Sequence, residues 1–310
     1  MLTQTVFLLF GLILLLISAD RMIHYSDQVA KYYKVSPILI GLTLVAFGTS
    51  APELVITLFA SFNSPPNTDA IIGNVVGSNI ANILLILGFS GLFFNLDFGK
   101  VTKKDIFYLS LISLYFVSAF YLINKANNIY LVGFVILILL FYNNIKNYPL
   151  EKNNEHNLNF SNKIYIFLIL SFIGIFYGGN IFLSQALLIF KEIGLSEAII
   201  GVTVLAIGTS LPELITVLIS YFKKMGDIGI GNIIGSNIMN LLFVFAPSLI
   251  IIQLRGYEYV LASLDKEIII VFILSTIFLI ILALFKIILS RLIAILLLTC
   301  YLAYILRVLL

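Results

Sequence analysis

Residues 40–54 of this 310-residue chain read IGLTLVAFGTSAPEL, and residues 200–214 read IGVTVLAIGTSLPEL, with ten of fifteen positions identical. A second block follows each copy: IIGNVVGSNIANILL at 71–85 and GIGNIIGSNIMNLLF at 229–243, nine of fifteen identical. The offset is 160 for the first block and 158 for the second, and the offset of 160 reaches back to Phe7 and Phe167. An internal repeat on this scale means two copies of one structural unit, and the fold must be one in which those units bury surface against each other.

The surroundings of the blocks are apolar. The chain is 61% hydrophobic and 11% charged, against about 45–50% apolar and about 25% charged for a soluble domain. Ten stretches approach the roughly 20 apolar residues that a bilayer core requires: approximately 5–24, 36–61, 70–94, 106–123, 129–145, 163–190, 197–221, 228–252, 267–286 and 291–309. The first could pass for a signal peptide, but it lacks a positive n-region and has an equivalent in the second copy, so it reads as a mature membrane helix. The first and sixth stretches run on into amphipathic segments, as long, steeply tilted or partly interfacial helices would.

Equivalent spans are five apart. Five is odd, so the second copy crosses the membrane in the opposite sense. The expected fold is an all-α membrane protein of about ten transmembrane helices in two inverted-topology repeats of five, over 1–145 and 163–310, with the repeated blocks at 40–85 and 200–243. Such repeats place a site at the midplane, where the copies meet, and support alternating access. Thirteen of the 18 Lys and Arg residues fall in loops on one side of this layout, in the pattern of cytoplasmic loops. That places both termini outside and the polar segment 146–162 inside, as a linker. The net charge of +3 is scattered through short loops, so nothing points to nucleic acid. Cys300 is the one cysteine and reads as a small packing residue; His24 and His156 share no motif, so no zinc or haem site is expected.

GTSAPE at 48–53 and GTSLPE at 208–213 put a proline and a glutamate inside otherwise apolar spans. Pro52 cannot donate to the carbonyl of Gly48, nor Pro212 to that of Gly208, and each crowds the preceding turn. Carbonyls around Ala46–Thr49 and Ala206–Thr209 are then expected to lack helical partners, which at membrane depth calls for protein, water or an ion. A plain kink for packing is the alternative, and the adjacent acids weigh against it. An acid at bilayer depth costs at least about 2.5 kcal/mol and marks a functional site. Thr49, Ser50 and Glu53 share one helix face, as do Thr209, Ser210 and Glu213, and no Lys or Arg lies on these segments.

In the second block Asn74, Ser78 and Asn82 recur at spacing four, as do Asn232, Ser236 and Asn240. Beside them Gly73, Gly77 and Ala81 form a small-residue stripe of the kind that lets helices approach closely. Asn74 and Asn232 read as structural or site residues alike; the other four read as site residues. Two glutamates offer four oxygens, and one carbonyl from each broken turn makes six, within the range Ca²⁺ takes. Hydroxyls and carbonyls of Thr49, Ser50, Ser78, Thr209, Ser210 and Ser236 could hold Na⁺. The absence of sulfur and imidazole disfavours soft metals. Loads that compete for one charged, alternately accessible site describe an antiporter.

The paired motifs GTSAPE…GNVVGSNIAN and GTSLPE…GNIIGSNIMN resemble the two α-repeats of the sodium/calcium exchanger family, and the resemblance extends to the ten-span layout. It implies electrogenic exchange of more than two Na⁺ per Ca²⁺. It implies that Glu53, Glu213 and the carbonyls of Thr49 and Thr209 coordinate Ca²⁺, that Na⁺ positions involve Ala46, Ser50, Ser78, Ala206, Ser210 and Ser236, and that Asn82 and Asn240 complete the centre. It further implies that the first and sixth helices slide against the rest. Many relatives carry aspartate at the position of Asn240, so K⁺ co-transport is not expected here. The large regulatory domains of animal exchangers are replaced by the short linker. The partners expected are the lipid bilayer, Na⁺ and Ca²⁺, with no cofactor and no required oligomer, in a multi-pass protein of the cell membrane. The alternatives are a Ca²⁺/H⁺ or other cation/H⁺ antiporter on the same fold, a cation channel and, least of all, an intramembrane enzyme. Asp20 and Asp27 are open between a packing or hinge role and a place on the ion path.

Overall fold

The computed structural model describes residues 2–150, 161–193, 206–257 and 266–309. Almost all of these are helical. In chain order they form α1 (Leu2–Tyr33), α2 (Pro37–Thr49), α3 (Ala51–Phe62), α4 (Thr68–Phe93), β1 (Leu96–Asp97), α5 (Lys103–Lys146), α6 (Lys163–Glu192), α7 (Ala206–Thr209), α8 (Leu211–Phe222), α9 (Gly226–Leu254), α10 (Lys266–Leu284), β2 (Ile288–Leu289) and α11 (Arg291–Leu309). Seven helices among the described residues are long and apolar enough to cross a membrane, and eight if α2 and α3 count as one bent span. The stretch expected at 36–61 is that bent pair: it breaks at Ser50 (φ −80°, ψ 7°), and its arms differ in direction by 46°. Of the expected span 197–221, residues 197–205 lie outside the described residues, as do 151–160 of the linker and His156 within them.

The two spans expected at 106–123 and 129–145 run as one helical segment, α5. A straight helix of 44 residues would be about 66 Å long. Yet Tyr148, just past its end, donates from its hydroxyl to Asp105 at 2.9 Å. The rings of Tyr108 and Phe141 are 5.9 Å apart, and those of Tyr115 and Phe134 are 5.0 Å apart. The chain therefore doubles back between 121 and 129, and α5 is a pair of antiparallel arms. Gly133 permits their contact, since a Cβ there would overlap the Tyr115 hydroxyl. The first arm starts from a capping box, in which Thr102 and Asp105 satisfy each other's backbone N–H, two of the donors a helix start leaves open.

The equivalent helices α1 and α6 lie against each other in opposite directions. Gln4 donates to Glu192 at 2.6 Å, and Gly11 faces the backbone of Gly178 and Phe182. Ser18 faces Gly174, Tyr25 stacks on Phe167, and Tyr33 hydrogen-bonds Tyr165. Glycine is needed at 11 and 178 because any side chain would enter the partner's main chain. The outer face of the pair is exposed and apolar, with Val6, Phe10, Ile13, Ile17, Ile169 and Ile173 among its residues, as suits a lipid-facing surface.

Behind this pair, α2 crosses α9 backbone to backbone. A Cβ on Gly41 would meet Ile228 and Gly231, one on Gly231 would meet Ile38 and Leu42, and one on Gly235 would meet Leu42 and Ala46. Gly231 and Gly235 are the second-copy equivalents of Gly73 and Gly77, so the small-residue stripe makes its close approach in that copy. For Gly73 and Gly77 the segment equivalent to α2 is 197–209, of which 197–205 lie outside the described residues. Cys300 is exposed on α11 and does not pack into the core.

Candidate functional site

The polar residues of the two repeated blocks converge in the interior. Thr49, Glu53, Asn82, Glu213, Ser236 and Asn240 have no exposed surface, and Ser50, Ser78, Thr209 and Ser210 are also buried. Ala46 is fully buried; the side chain of Ala206 lies outside the described residues, although its backbone opens α7.

Three local features place these groups. Ser50 and Ser210 sit at matching breaks, with φ and ψ of −80° and 7° in one and −87° and 3° in the other, and the proline two residues on starts a new helix. Each glutamate therefore lies in the first turn of a helix, α3 or α8, where the dipole favours negative charge. Third, α4 and α9 each widen into a π turn, and these begin at the equivalent residues Asn82 and Asn240. Such turns disturb the carbonyl ladder and cluster at functional sites. The helix bearing Glu53 packs on the Asn240 turn, and the helix bearing Glu213 packs on the Asn82 turn. Each acid is thus set against the opposite half, and the two carboxylates act on each other electrostatically.

Hydrogen bonds join the halves in two chains. In one, Ser78 donates to Glu53 Oε1 at 3.1 Å, while Asn240 Nδ2 donates to Ser78 at 3.2 Å and to Asn79 Oδ1 at 3.0 Å. In the other, the Thr49 hydroxyl donates to Asn232 Oδ1 at 3.0 Å and lies 3.3 Å from the Ser236 hydroxyl. Asn74 secures Glu53 from behind, donating to its backbone carbonyl and to Thr57 Oγ1, both at 2.9 Å. Asn79 and Asn237 were not among the expected site residues. They carry no charge and sit between the stripe positions, and only the crossing of α4 and α9 shows that they touch.

The expectation for the freed carbonyls needs one correction. The carbonyl of Ala46 accepts from Ser50 N at 3.0 Å and lies 3.3 Å from the Thr49 hydroxyl, because the break falls beyond it. Gly48 makes room for the Phe172 ring and Gly208 for Leu183, both from α6.

Several buried polar atoms have no partner among the described residues: Glu53 Oε2, both carboxylate oxygens of Glu213, both ends of the Asn82 amide, the side-chain oxygen of Asn240, Asn232 Nδ2 and the hydroxyls of Ser50 and Ser210. Buried polar groups are ordinarily paired, and a collection dominated by oxygens suits a hard cation. Among the described residues no group of three or more His, Cys, Asp or Glu is assembled, so the centre is two carboxylates surrounded by neutral oxygens. Asp20 and Asp27 lie elsewhere. Asp20 pairs with Lys223 at 2.8 Å, and Asp27 pairs with Lys31 on its own helix.

Comparison with known proteins gives one answer. A family model described as "Sodium/calcium exchanger protein" matches residues 3–145 and 163–310. The sodium/calcium exchanger MaX1 of Methanosarcina acetivorans is 31% identical, covering 78% of this chain and 81% of its own. The putative antiporter CaxA of Alkalimonas amylolytica is 35% identical, covering 81% and 82%. The sodium-calcium exchanger NCX_Mj, in a structure soaked with 10 mM Na⁺ and no Ca²⁺, matches with a TM-score of 0.78 at 29% identity over 98% of each chain. Apolar helices, buried acids and the near-complete match agree, and the chain belongs to the sodium/calcium exchanger family of multi-pass membrane antiporters.

Proposed function

We propose that this protein is a secondary active antiporter that exchanges Na⁺ for Ca²⁺ by alternating access. The observation that carries the reading is the set of buried, unpartnered oxygens around Glu53 and Glu213, drawn from both sequence copies. In this reading Ca²⁺ is bound by the two carboxylates together with the carbonyls of Thr49 and Thr209. Na⁺ uses the positions of Ala46, Ser50, Ser78, Ala206, Ser210 and Ser236, and Asn82 and Asn240 line the centre. The carboxylates carry two negative charges, so one Ca²⁺ or two Na⁺ neutralise them, and the two loads exclude each other. A third Na⁺, seated on neutral oxygens, makes the exchange electrogenic.

The architecture we assign is two inverted repeats of five spans, 1–145 and 163–310, joined by a cytoplasmic linker at 146–162, with both termini outside the cell membrane. The doubling back of α5, the break at Ser50 and the antiparallel packing of α1 on α6 support it. No cofactor and no second subunit enter the mechanism. The acids change exposure from one side to the other, and the ions supply the charge compensation that makes each move tolerable.

The test is ⁴⁵Ca²⁺ uptake into proteoliposomes loaded with Na⁺ and diluted into Na⁺-free medium, with K⁺-loaded and acid-loaded vesicles in parallel. Uptake is expected only with internal Na⁺. Uptake driven by the proton gradient would move the protein to cation/proton exchange, and Ca²⁺ conductance without a coupling ion would make it a channel.

A further inference from the structure

Asn74 and Asn232 are equivalent residues in the repeat but make different bonds. Asn74 works within its own half, clipping α4 to α3 through the Glu53 carbonyl and Thr57. Asn232 sits on α9, and its own-half counterpart to Thr57 is Val217, which offers no acceptor. The threonine of the second copy is displaced by one residue, to Thr216, about 100° around the helix, and its buried hydroxyl has no partner among the described residues. Asn232 Nδ2 is likewise buried without a partner, while Asn232 Oδ1 accepts from Thr49 of the first half and from Ser236. The tight crossing of α2 over Gly231 and Gly235 brings the broken turn within reach.

We propose that Asn232 is a positioning residue. It holds the first-half broken turn by the Thr49 hydroxyl, across the boundary between the halves, and so sets the geometry of Thr49 and Glu53 for the ion. The replacement of a threonine by Val217 frees it for that task. Thr49 then has two separate functions, a main-chain carbonyl for the ion and a hydroxyl for alignment. The inference rests on the ion site proposed above and adds a specific division of labour between equivalent asparagines.

The experiment is equilibrium binding of ⁴⁵Ca²⁺ to the purified full-length protein in detergent, with melting temperature recorded for each variant. Thr49→Val keeps the bulk and the carbonyl but removes the hydroxyl, and Asn232→Leu removes its acceptor. Each is expected to weaken binding about tenfold, the scale of one well-placed hydrogen bond, and the double variant should be no weaker than either single one. Thr49→Ser should bind within about twofold of the wild type, since its hydroxyl remains. Val217→Thr adds the missing acceptor beside Asn232 without touching an ion ligand. It should draw Asn232 back to its own half, weakening Ca²⁺ binding while the melting temperature holds or rises. Wild-type affinity in a folded Thr49→Val or in Val217→Thr, or additive losses in the double variant, would overturn the proposal. The binding arm uses no Na⁺ gradient, so a wild type that binds Ca²⁺ but takes it up without Na⁺ would refute the coupling ion and leave Asn232 still tested.

Discussion

Glu53 and Glu213 are the residues on which the activity is expected to depend most steeply. Both are fully buried, and among the described residues neither oxygen of the second has a partner within ordinary hydrogen-bond geometry. Removing one member of a buried charged assembly costs about 3–5 kcal/mol, which is a hundredfold or more in ion affinity. Glu53→Gln and Glu213→Gln should each abolish Na⁺-dependent ⁴⁵Ca²⁺ uptake. Each should leave the protein folded, because the amide is nearly isosteric and cheaper to bury than the carboxylate. Full exchange by the double variant would remove these residues from the site. The acids were legible because a charge inside an apolar span has few structural uses. The part played by the Thr49 hydroxyl was not, since it depends on which side chain of the other half stands opposite, and no spacing within one helix carries that information. Asn79 and Asn237 escaped for the same reason.

At the scale of elements, the crossing of α2 over α9 is expected to depend on glycine. Gly231→Ala drives a methyl into the main chain of α2, which cannot retreat as a flexible side chain can. Overpacking of this kind costs about 1–3 kcal/mol, so its melting temperature and its yield of folded protein should fall. A Gly231→Ala variant that folds and melts like the wild type would show that the α2 main chain yields to the methyl. The end of α3 is held by a cation from the other half. Arg255, just beyond α9, donates to the carbonyls of Ser61 and Asn63 and to the Ser64 hydroxyl at 2.7–2.8 Å, occupying carbonyls that a helix end leaves open. Arg255→Ala should lower the melting temperature, and a variant that melts like the wild type would show that water replaces the guanidinium without cost. Span lengths and the proline breaks could be read from composition and spacing. The two arms of α5 were expected as two spans, because the polar run NKANN at 124–128 separates two apolar stretches.

The whole molecule carries the repeat's logic furthest. Two copies five spans apart gave the expectation of opposite orientation, and α1 and α6 do lie antiparallel. Which contacts tie that pair to the remainder could not be read from the repeat, since Asp20 is matched by Asn180 in the other copy and its partner, Lys223, comes from the loop after α8. Two carboxylates balance one Ca²⁺ or two Na⁺, so exchange limited to those oxygens would be electroneutral. The neutral oxygens of Ser50, Ser210, Asn82 and Asn240, buried and unpartnered, provide for a further Na⁺ without further negative charge. Exchange of three Na⁺ out for one Ca²⁺ in would move one net positive charge out of the vesicle per cycle and leave the interior negative, which opposes continued Na⁺ exit. Valinomycin with equal K⁺ on both sides dissipates that potential, so it should accelerate Na⁺-dependent Ca²⁺ uptake, and an imposed inside-positive potential should accelerate it further. If uptake ignores the membrane potential, the cycle is electroneutral and the two carboxylates account for all of the transported Na⁺; the neutral oxygens would then serve water or alignment alone.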